Sequence, residues 1–334
     1  MRVGLSYDLK DSVVLDEAAP DDALEEYDSP NTIDYIRRAV EGLGHSTIKL
    51  SGGPEFIRKI LNEKVDIVFN IAEGRGNYRS REAQVPSILE MLGIPYVGSD
   101  PECLAICLDK PLTKKLVRLA GIPTPEWRLI ANENELRETI WKGFPFPAIV
   151  KPAYEGSSKG IHPNSLVDSA KEAAKTVFEM LEVYRQPVMV EQFIDGDEVT
   201  VGMLGNSPAK VLGMMRILPR KQSNRFVYTV EVKRDWKNLV DYECPAKLKE
   251  TTLEQINTHS LKTFELLGCR DFSRIDFRVS ADGIPKMLEI NPLPGLGDYS
   301  DLIIMAVKLG WKHEALIASV FNAALERYPI CVHA

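Results

Sequence analysis

Apolar positions along the first hundred residues alternate between short continuous runs and helical spacings. Residues 2–7 form an apolar run that reads as a buried first strand. Ile33, Ile36, Val40 and Leu43 follow at the 3/4 spacing of one helix face, and Gly44 supplies a stop. Residues 65–70 read as a second strand. A helix over 87–92 ends at Gly93, just before the apolar stretch 94–98. Strand–helix–strand alternation predicts a parallel sheet with crossover helices. The pattern changes after residue 100. A helix over 111–120 ends at Gly121, prolines 123, 125, 145 and 147 punctuate short strands, and a long helix is expected over 168–184. From 187 strands dominate again, at 188–191, 198–204 and 211–217. The expected organisation is an α/β unit over 1–100, a small α+β unit over 101–186 and a mixed-sheet unit over 187–334.

The most chemical part of this pattern is a hairpin near the C-terminus. Residues 274–279 and 286–291 flank an Asp282-Gly283 pair, a strong hairpin signal. With those two residues as the turn, Asp276 lies opposite Glu289 and Arg274 opposite Asn291. On the other face Phe277 meets Leu288 and Ile275 meets Ile290. Like charges directly opposite destabilise a sheet, so the polar face requires a cation. Oxygen ligands from two carboxylates and an amide suit Mg²⁺ beside nucleotide phosphates.

Composition adds bounds. The chain has 334 residues, 44% hydrophobic and 27% charged, which fits a globular protein of two or three units. A net charge of -7 gives no overall basic footprint for nucleic acid or an anionic membrane. No signal peptide or long apolar run is seen, and five cysteines (103, 107, 244, 269, 331) show neither CxxC nor metal spacing. A cytoplasmic location is expected. Cys103 and Cys107, at i, i+4, are expected in the core. The acidic stretch 16–28 (Asp16, Glu17, Asp21, Asp22, Glu25, Glu26, Asp28) reads as a solvated loop.

Three further segments carry candidate chemistry. An apolar strand ends at Lys151 and is followed by Glu155-Gly156-Ser157-Ser158-Lys159-Gly160-Ile161. Small residues there bring backbone N–H groups close to phosphate oxygens, although the loop is not a Walker A motif. Lys110 precedes a helix. Glu191, Gln192 and Ile194 end a strand before Asp197-Glu198, which reads equally as an adenine edge with a ribose clamp or as an edge strand and turn.

Taken in order, Lys110 with Thr113-Lys114, residues 149–152, 155–161 and 191–198, and Arg274-Ile275-Asp276 with Glu289-Ile290-Asn291-Pro292 resemble the motifs of the ATP-grasp superfamily. Within it they most resemble D-alanine–D-alanine ligases. The resemblance implies a three-part ATP-grasp fold and an ATP-dependent ligase joining two amino acids through an acyl phosphate. It assigns Lys110 and Lys151 to the α/β-phosphates and the Gly156-Ser157-Ser158 loop to covering them. Glu191, Gln192 and Ile194 would line the adenine pocket, Glu198 the ribose, and Lys233 would reach the γ-phosphate. Asp276, Glu289 and Asn291 would hold two Mg²⁺ ions, with Mn²⁺ as the alternative. Arg274 would stabilise the oxyanion, and Gly295, Ser300 and Asp301 would serve the acceptor. The partners implied are small amino acids and a second copy of the chain.

Two departures bear on the donor. Glu73 stands where the family has histidine, and Arg234 where it has tyrosine in a Ser–Tyr–Glu set whose serine matches Ser157. Glu73 would pair with a substrate ammonium, and Arg75, Arg79 or Arg81 with a carboxylate, or Glu73 with one of these arginines. The alternatives are a ligase with a non-alanine donor, a depsipeptide ligase, a non-catalytic ATP-binding protein, or a carboxylate kinase.

Overall fold

The computed structural model describes residues 1–13, 19–221 and 225–329. Asp16, Glu17 and Cys331 lie outside the described residues. The first unit runs β1 (Arg2–Tyr7), α1 (Pro30–Gly42), β2 (Ser46–Lys49), α2 (Gly53–Asn62), β3 (Ile67–Ile71), α3 (Gln84–Leu92) and β4 (Tyr96–Val97). Its four strands lie in the order β2-β1-β3-β4, all parallel. Every residue of β3 is buried, as a strand covered on both faces by helices requires. Pro30 opens α1, where its missing N–H costs nothing. Gly93 closes α3 in the left-handed region at φ +67°, a conformation open to glycine without a Cβ penalty.

Two capped helices lead onward. Asp100 accepts from Cys103 N–H to start α4 (Pro101–Leu108), and Asp109 accepts from Leu112 N–H to start α5 (Lys110–Leu119). The second sheet comprises β5 (Trp127–Ile130), β6 (Ala148–Pro152), β7 (Leu166–Val167) and, after α6 (Ala170–Tyr184), β8 (Val188–Gln192). The order is β5-β8-β6-β7, antiparallel. β8 pairs with β5 and β6, so the strand after residue 187 completes the central sheet rather than opening the last unit. Its apolar run gave no sign of which neighbours it would find.

The third sheet holds β9 (Asp197–Leu204), β10 (Lys210–Pro219) and, after short helices α7 (Val230–Arg234) and α8 (Trp236–Leu239), β11 (Val240–Glu243). Helix α9 (Glu250–Leu266) precedes β12 (Phe272–Val279) and β13 (Pro285–Asn291), and α10 (Asp301–Lys308) and α11 (His313–Arg327) follow. The strand order is β11-β10-β9-β12-β13, antiparallel.

The β12–β13 hairpin pairs Asp276 with Glu289, Arg274 with Asn291 and Ile275 with Ile290, as expected. Phe277 faces Met287, not Leu288, because a bulge shifts the register beyond Asp276. The connection is also longer than two residues. It spans 280–284, where Gly283 N–H donates to Ser280 O at 2.8 Å, so the tight turn centres on 281–282, one residue earlier than expected, and Asp282 accepts from Ile284 N–H at 3.1 Å. Loop and bulge offset each other, and the polar face ends in the expected register.

The cores cross these sheets. One buried cluster joins Val3, Leu5 and Phe69 of the first sheet to Leu316, Val320 and Phe321 of α11. Cys103 and Cys107 are buried, as expected for core residues. Folding adds a third thiol: Cys269 Sγ lies 3.5 Å from Cys103 Sγ, which is 3.9 Å from Cys107 Sγ. Among the described residues no helix is long and apolar enough to cross a membrane.

Candidate active site

Strand β6 carries Lys151 one residue before its end and β8 carries Glu191, both on the side of the central sheet that faces β9, β12 and β13. The cavity between the sheets is bordered by Lys151, Ser158, Gln192, Ile194, Glu198 and Lys233. Lys151 Nζ lies 3.1 Å from Glu191 Oε1, and Lys114 Nζ lies 2.6 Å from Glu191 Oε2. Lys114 is 1% exposed; burial lowers its ammonium to about 8 despite the adjacent Glu191. Glu191 is thus held between two lysines rather than free at a strand edge. Across the cavity Glu198 pairs with Arg278 at 2.9 Å, and Leu288, pushed out by the bulge, adds an apolar wall.

A second cavity adjoins the first at Arg274 and Glu289. Glu73, Lys110, Gly156, Ser157, Asn291 and Gly295 border it. A third contains Ser157, Lys233, Arg274, Gly295, Ser300 and Asp301. Every residue expected at the site therefore borders one of three adjoining cavities, and Arg274 borders all of them.

Around Arg274 the polar hairpin face is compact. Its guanidinium lies 2.8 Å from Asp276 Oδ2, 3.9 Å from Glu289 Oε1 and 3.8 Å from Asp301 Oδ2. Thr200 donates to Asp276 at 2.7 Å, and the Asn291 amide approaches it at 3.4 Å. Burial alone would push Glu289 up, but Lys110, Lys151, Arg274 and Lys233 hold its carboxyl at about 2. Asp276, Glu289 and the side-chain oxygen of Asn291 offer an all-oxygen donor set, which fits a hard divalent cation.

The loop over residues 155–161 is anchored from both sides. Ser157 and Ser158 take left-handed φ values of +50° and +60°, and Ser158 Oγ donates to Tyr228 O at 2.9 Å. Lys110 Nζ donates to Glu155 O. The acidic N-terminal stretch, expected in solvent, supplies other anchors. Asp22 is fully buried and accepts from Gly160 N–H at 2.6 Å and from the Tyr184 hydroxyl at 2.9 Å. Glu26 accepts from Gly156 N–H and from Arg81 at 2.7 Å. These carboxylates find their donors 55 to 162 residues away, and the charge run alone could not reveal that.

The arginines near Glu73 are engaged elsewhere. Arg75 pairs with Asp8 at 2.8 Å, Arg79 with Asp109 at 3.5 Å, and Arg81 with Glu26 and Glu155. They neither hold Glu73 nor present a free guanidinium for a substrate carboxylate. Arg234 pairs with Glu25 at 2.9 Å and tethers α7 to the N-terminal stretch. On the acceptor side the Ser300 Oγ is buried without a partner among the described residues. A Cβ at Gly295 would meet nothing nearer than Ser300 at 3.9 Å, so the protein itself does not require glycine there. Sequence reasoning left Lys114, Arg278 and Tyr228 without roles. Alternation along β12 could have found Arg278, two residues beyond Asp276 on the same face.

Comparison with known proteins accords with this geometry. Residues 116–322 match the family described as D-ala D-ala ligase C-terminus. The D-alanine–D-alanine ligase of Aquifex aeolicus is 34% identical over 292 residues, covering 86% of this chain and 92% of that protein. An uncharacterised protein of Sinorhizobium fredii is 32% identical, covering 88% of each. In fold, the ATP complex of the D-alanine–D-alanine ligase of Bacillus anthracis aligns over 98% of each chain with a TM-score of 0.75 at 24% identity. By its matched C-terminal region, its relatives and its three sheets, this chain belongs to the D-alanine–D-alanine ligase family and has the ATP-grasp fold.

Proposed function

We propose that this chain is an ATP-dependent ligase that activates the carboxylate of one amino acid as an acyl phosphate and joins it to the amine of a second. The observation that carries this reading is the position of Arg274 where the three cavities meet. The cavity between the sheets would take ATP, with Leu288 and Ile194 against the base and Glu198 near the ribose. Lys110, Lys151 and Lys233 would bring positive charge to the phosphates, and the Gly156-Ser157-Ser158 loop would close over them. Mg²⁺ ions held by Asp276, Glu289 and Asn291 would supply further charge at the transferring phosphoryl group. Such transfer needs positioning and charge neutralisation, not a protein nucleophile.

The donor carboxylate would lie in the second cavity, where its oxygen attacks the γ-phosphorus and ADP leaves. The acceptor's neutral amine then attacks the acyl carbon, and the tetrahedral intermediate collapses by breaking the acyl C–O bond, expelling inorganic phosphate as the amine nitrogen gives up a proton. Arg274 presents a planar fork to the oxyanion that develops, a role suited to guanidinium in a dry site. The unpartnered Ser300 hydroxyl would bind the acceptor's carboxylate. D-Alanine, named in the relatives' activity, is the proposed acceptor, and the cytoplasm the proposed compartment. A homodimer and the three sheets as separate units, with the break after β8, complete the reading.

The test is ADP release from ATP and Mg²⁺ against a panel of D- and L-amino acids, singly and in pairs, with product masses. A condensed product appearing only with amino acids present supports ligation. Nucleotide binding without amino-acid-dependent ADP release would overturn it, and acyl phosphate trapped by hydroxylamine with no condensed product would make the chain a carboxylate kinase.

A further inference from the structure

We propose that the donor cavity selects an amino acid with a second positive charge, a diamino acid, over a neutral one such as alanine. The inference rests on the ligase reading above. It begins from a charge count around the second cavity. Five carboxylates from the N-terminal unit border it: Glu25, Glu26, Asp28, Glu73 and Glu82. Two are matched within the protein, Glu25 by Arg234 at 2.9 Å and Glu26 by Arg81 at 2.7 Å. Lys110 and Arg274 also border the cavity, but they face Glu289 and Asp276 on the hairpin side.

Asp28, Glu73 and Glu82 remain without a cation within 4 Å among the described residues. Asp28 is 5% exposed and has only hydroxyl partners, Tyr299 at 3.4 Å among them. Glu82 points at a ligand most directly. It is 8% exposed, borders the cavity, and has no hydrogen-bond or ion-pair partner among the described residues. An acid buried this far is ordinarily paired. Burial pushes Glu82 up to about 8, and burial together with Glu82 and Glu26 pushes Glu73 well above the usual carboxylate range. The cavity thus lacks the positive charge that would keep these carboxyls ionised near neutral pH.

The α-ammonium common to every amino acid donor matches one of the three carboxylates. A side-chain ammonium brings three more donors and a second charge to the remaining pair. The donor's carboxylate stays on the side of Glu289, Lys110 and Arg274, where the phosphoryl group arrives. Its cationic end then points toward Glu73 and Glu82.

The test uses the full chain with ATP, Mg²⁺ and D-alanine as fixed acceptor. The varied donors are the D and L forms of ornithine, lysine and alanine, with product masses read throughout. Expected is a kcat/KM for a diamino acid at least tenfold above alanine as donor, with that ratio narrowing at least tenfold in Glu82→Gln and in Glu73→Gln. Formation of D-alanyl-D-alanine as efficiently as any mixed product would overturn the proposal and leave ligation standing. Should no amino acid drive ADP release, ligation itself fails. Calorimetric binding to the unaltered chain then decides the point: tighter binding of the diamino acid, weakened in Glu82→Gln, supports it, and equal binding of alanine overturns it.

Discussion

Arg274 holds Asp276 through two of its nitrogens and also approaches Glu289 and Asp301, so its charge stands in for the cation that the hairpin face needs. Lysine at 274 would keep the charge and lose the fork. Arg274→Lys is expected to lower the rate of condensation by about 10²–10³-fold while nucleotide affinity falls far less, read as kcat against Kd for ATP. The acids of the second cavity make a different prediction, about pH. Burial raises Asp28 to about 7 and Glu82 to about 8, from ordinary values near 4. The folded state then holds protons that the unfolded chain has released, so this contribution to stability is complete below about pH 4 and declines as pH rises to about 8. Glu26 and Glu289, held at about 2, act oppositely and only at lower pH. Thermal unfolding of the ligand-free chain should show Tm falling between pH 5 and 8, with a shallower fall in Glu82→Gln. An unchanged slope in that variant would remove Glu82 as its source.

At the scale of elements, the hairpin shows what was legible and why. Alternation placed Arg274, Asp276, Glu289 and Asn291 on one face because period two is a property of the strand itself. The bulge was not legible, since it depends on how Met287 enters the core beside Thr263. It leaves Leu288 unpaired in the ladder, and Leu288 and Glu289 both border the cavity between the sheets. Deleting Leu288 should therefore leave a regular hairpin with Asp276 still opposite Glu289, while ATP binds more weakly for want of one apolar wall. Loss of the fold on deletion would show the bulge to be structural. Helix ends were legible wherever glycine marked them, at Gly44, Gly93 and Gly121, all with positive φ. The ion pairs that fix the site were not: Arg81–Glu26 spans 55 residues and Arg234–Glu25 spans 209. Lys114, on α5, escaped for the same reason, its partner Glu191 lying on β8 of the central sheet. Removing the shared carboxylate of this buried set leaves two lysines without it, so Glu191→Ala should cost about 3–5 kcal/mol in denaturant unfolding.

Across the whole molecule, the first sheet covers one face from within its own unit, where Val68 packs with Leu50, Phe56 and Leu89, but its other face is closed by the C-terminal helices. Val3, Leu5 and Phe69 pack in one cluster with Leu316, Val320 and Phe321, and Phe69 and Phe321 stack 6.3 Å apart. Phe321→Ala should therefore destabilise the N-terminal unit, by about 3–5 kcal/mol, and earlier exchange of β1 and β3 amides than of β6 and β8 amides would show it. The central sheet differs, because its core draws only on residues 130–190. That contrast bears on how the chain is made. A ribosome delivers β1 first and α11 some three hundred residues later, so the earliest strands emerge without the helix that covers them. The central unit can settle as soon as β8 is out, while the opening sheet waits, partly uncovered, for nearly the whole of translation. Nascent chains halted near residue 300 should accordingly present the first sheet, and not the second, to proteases and chaperones.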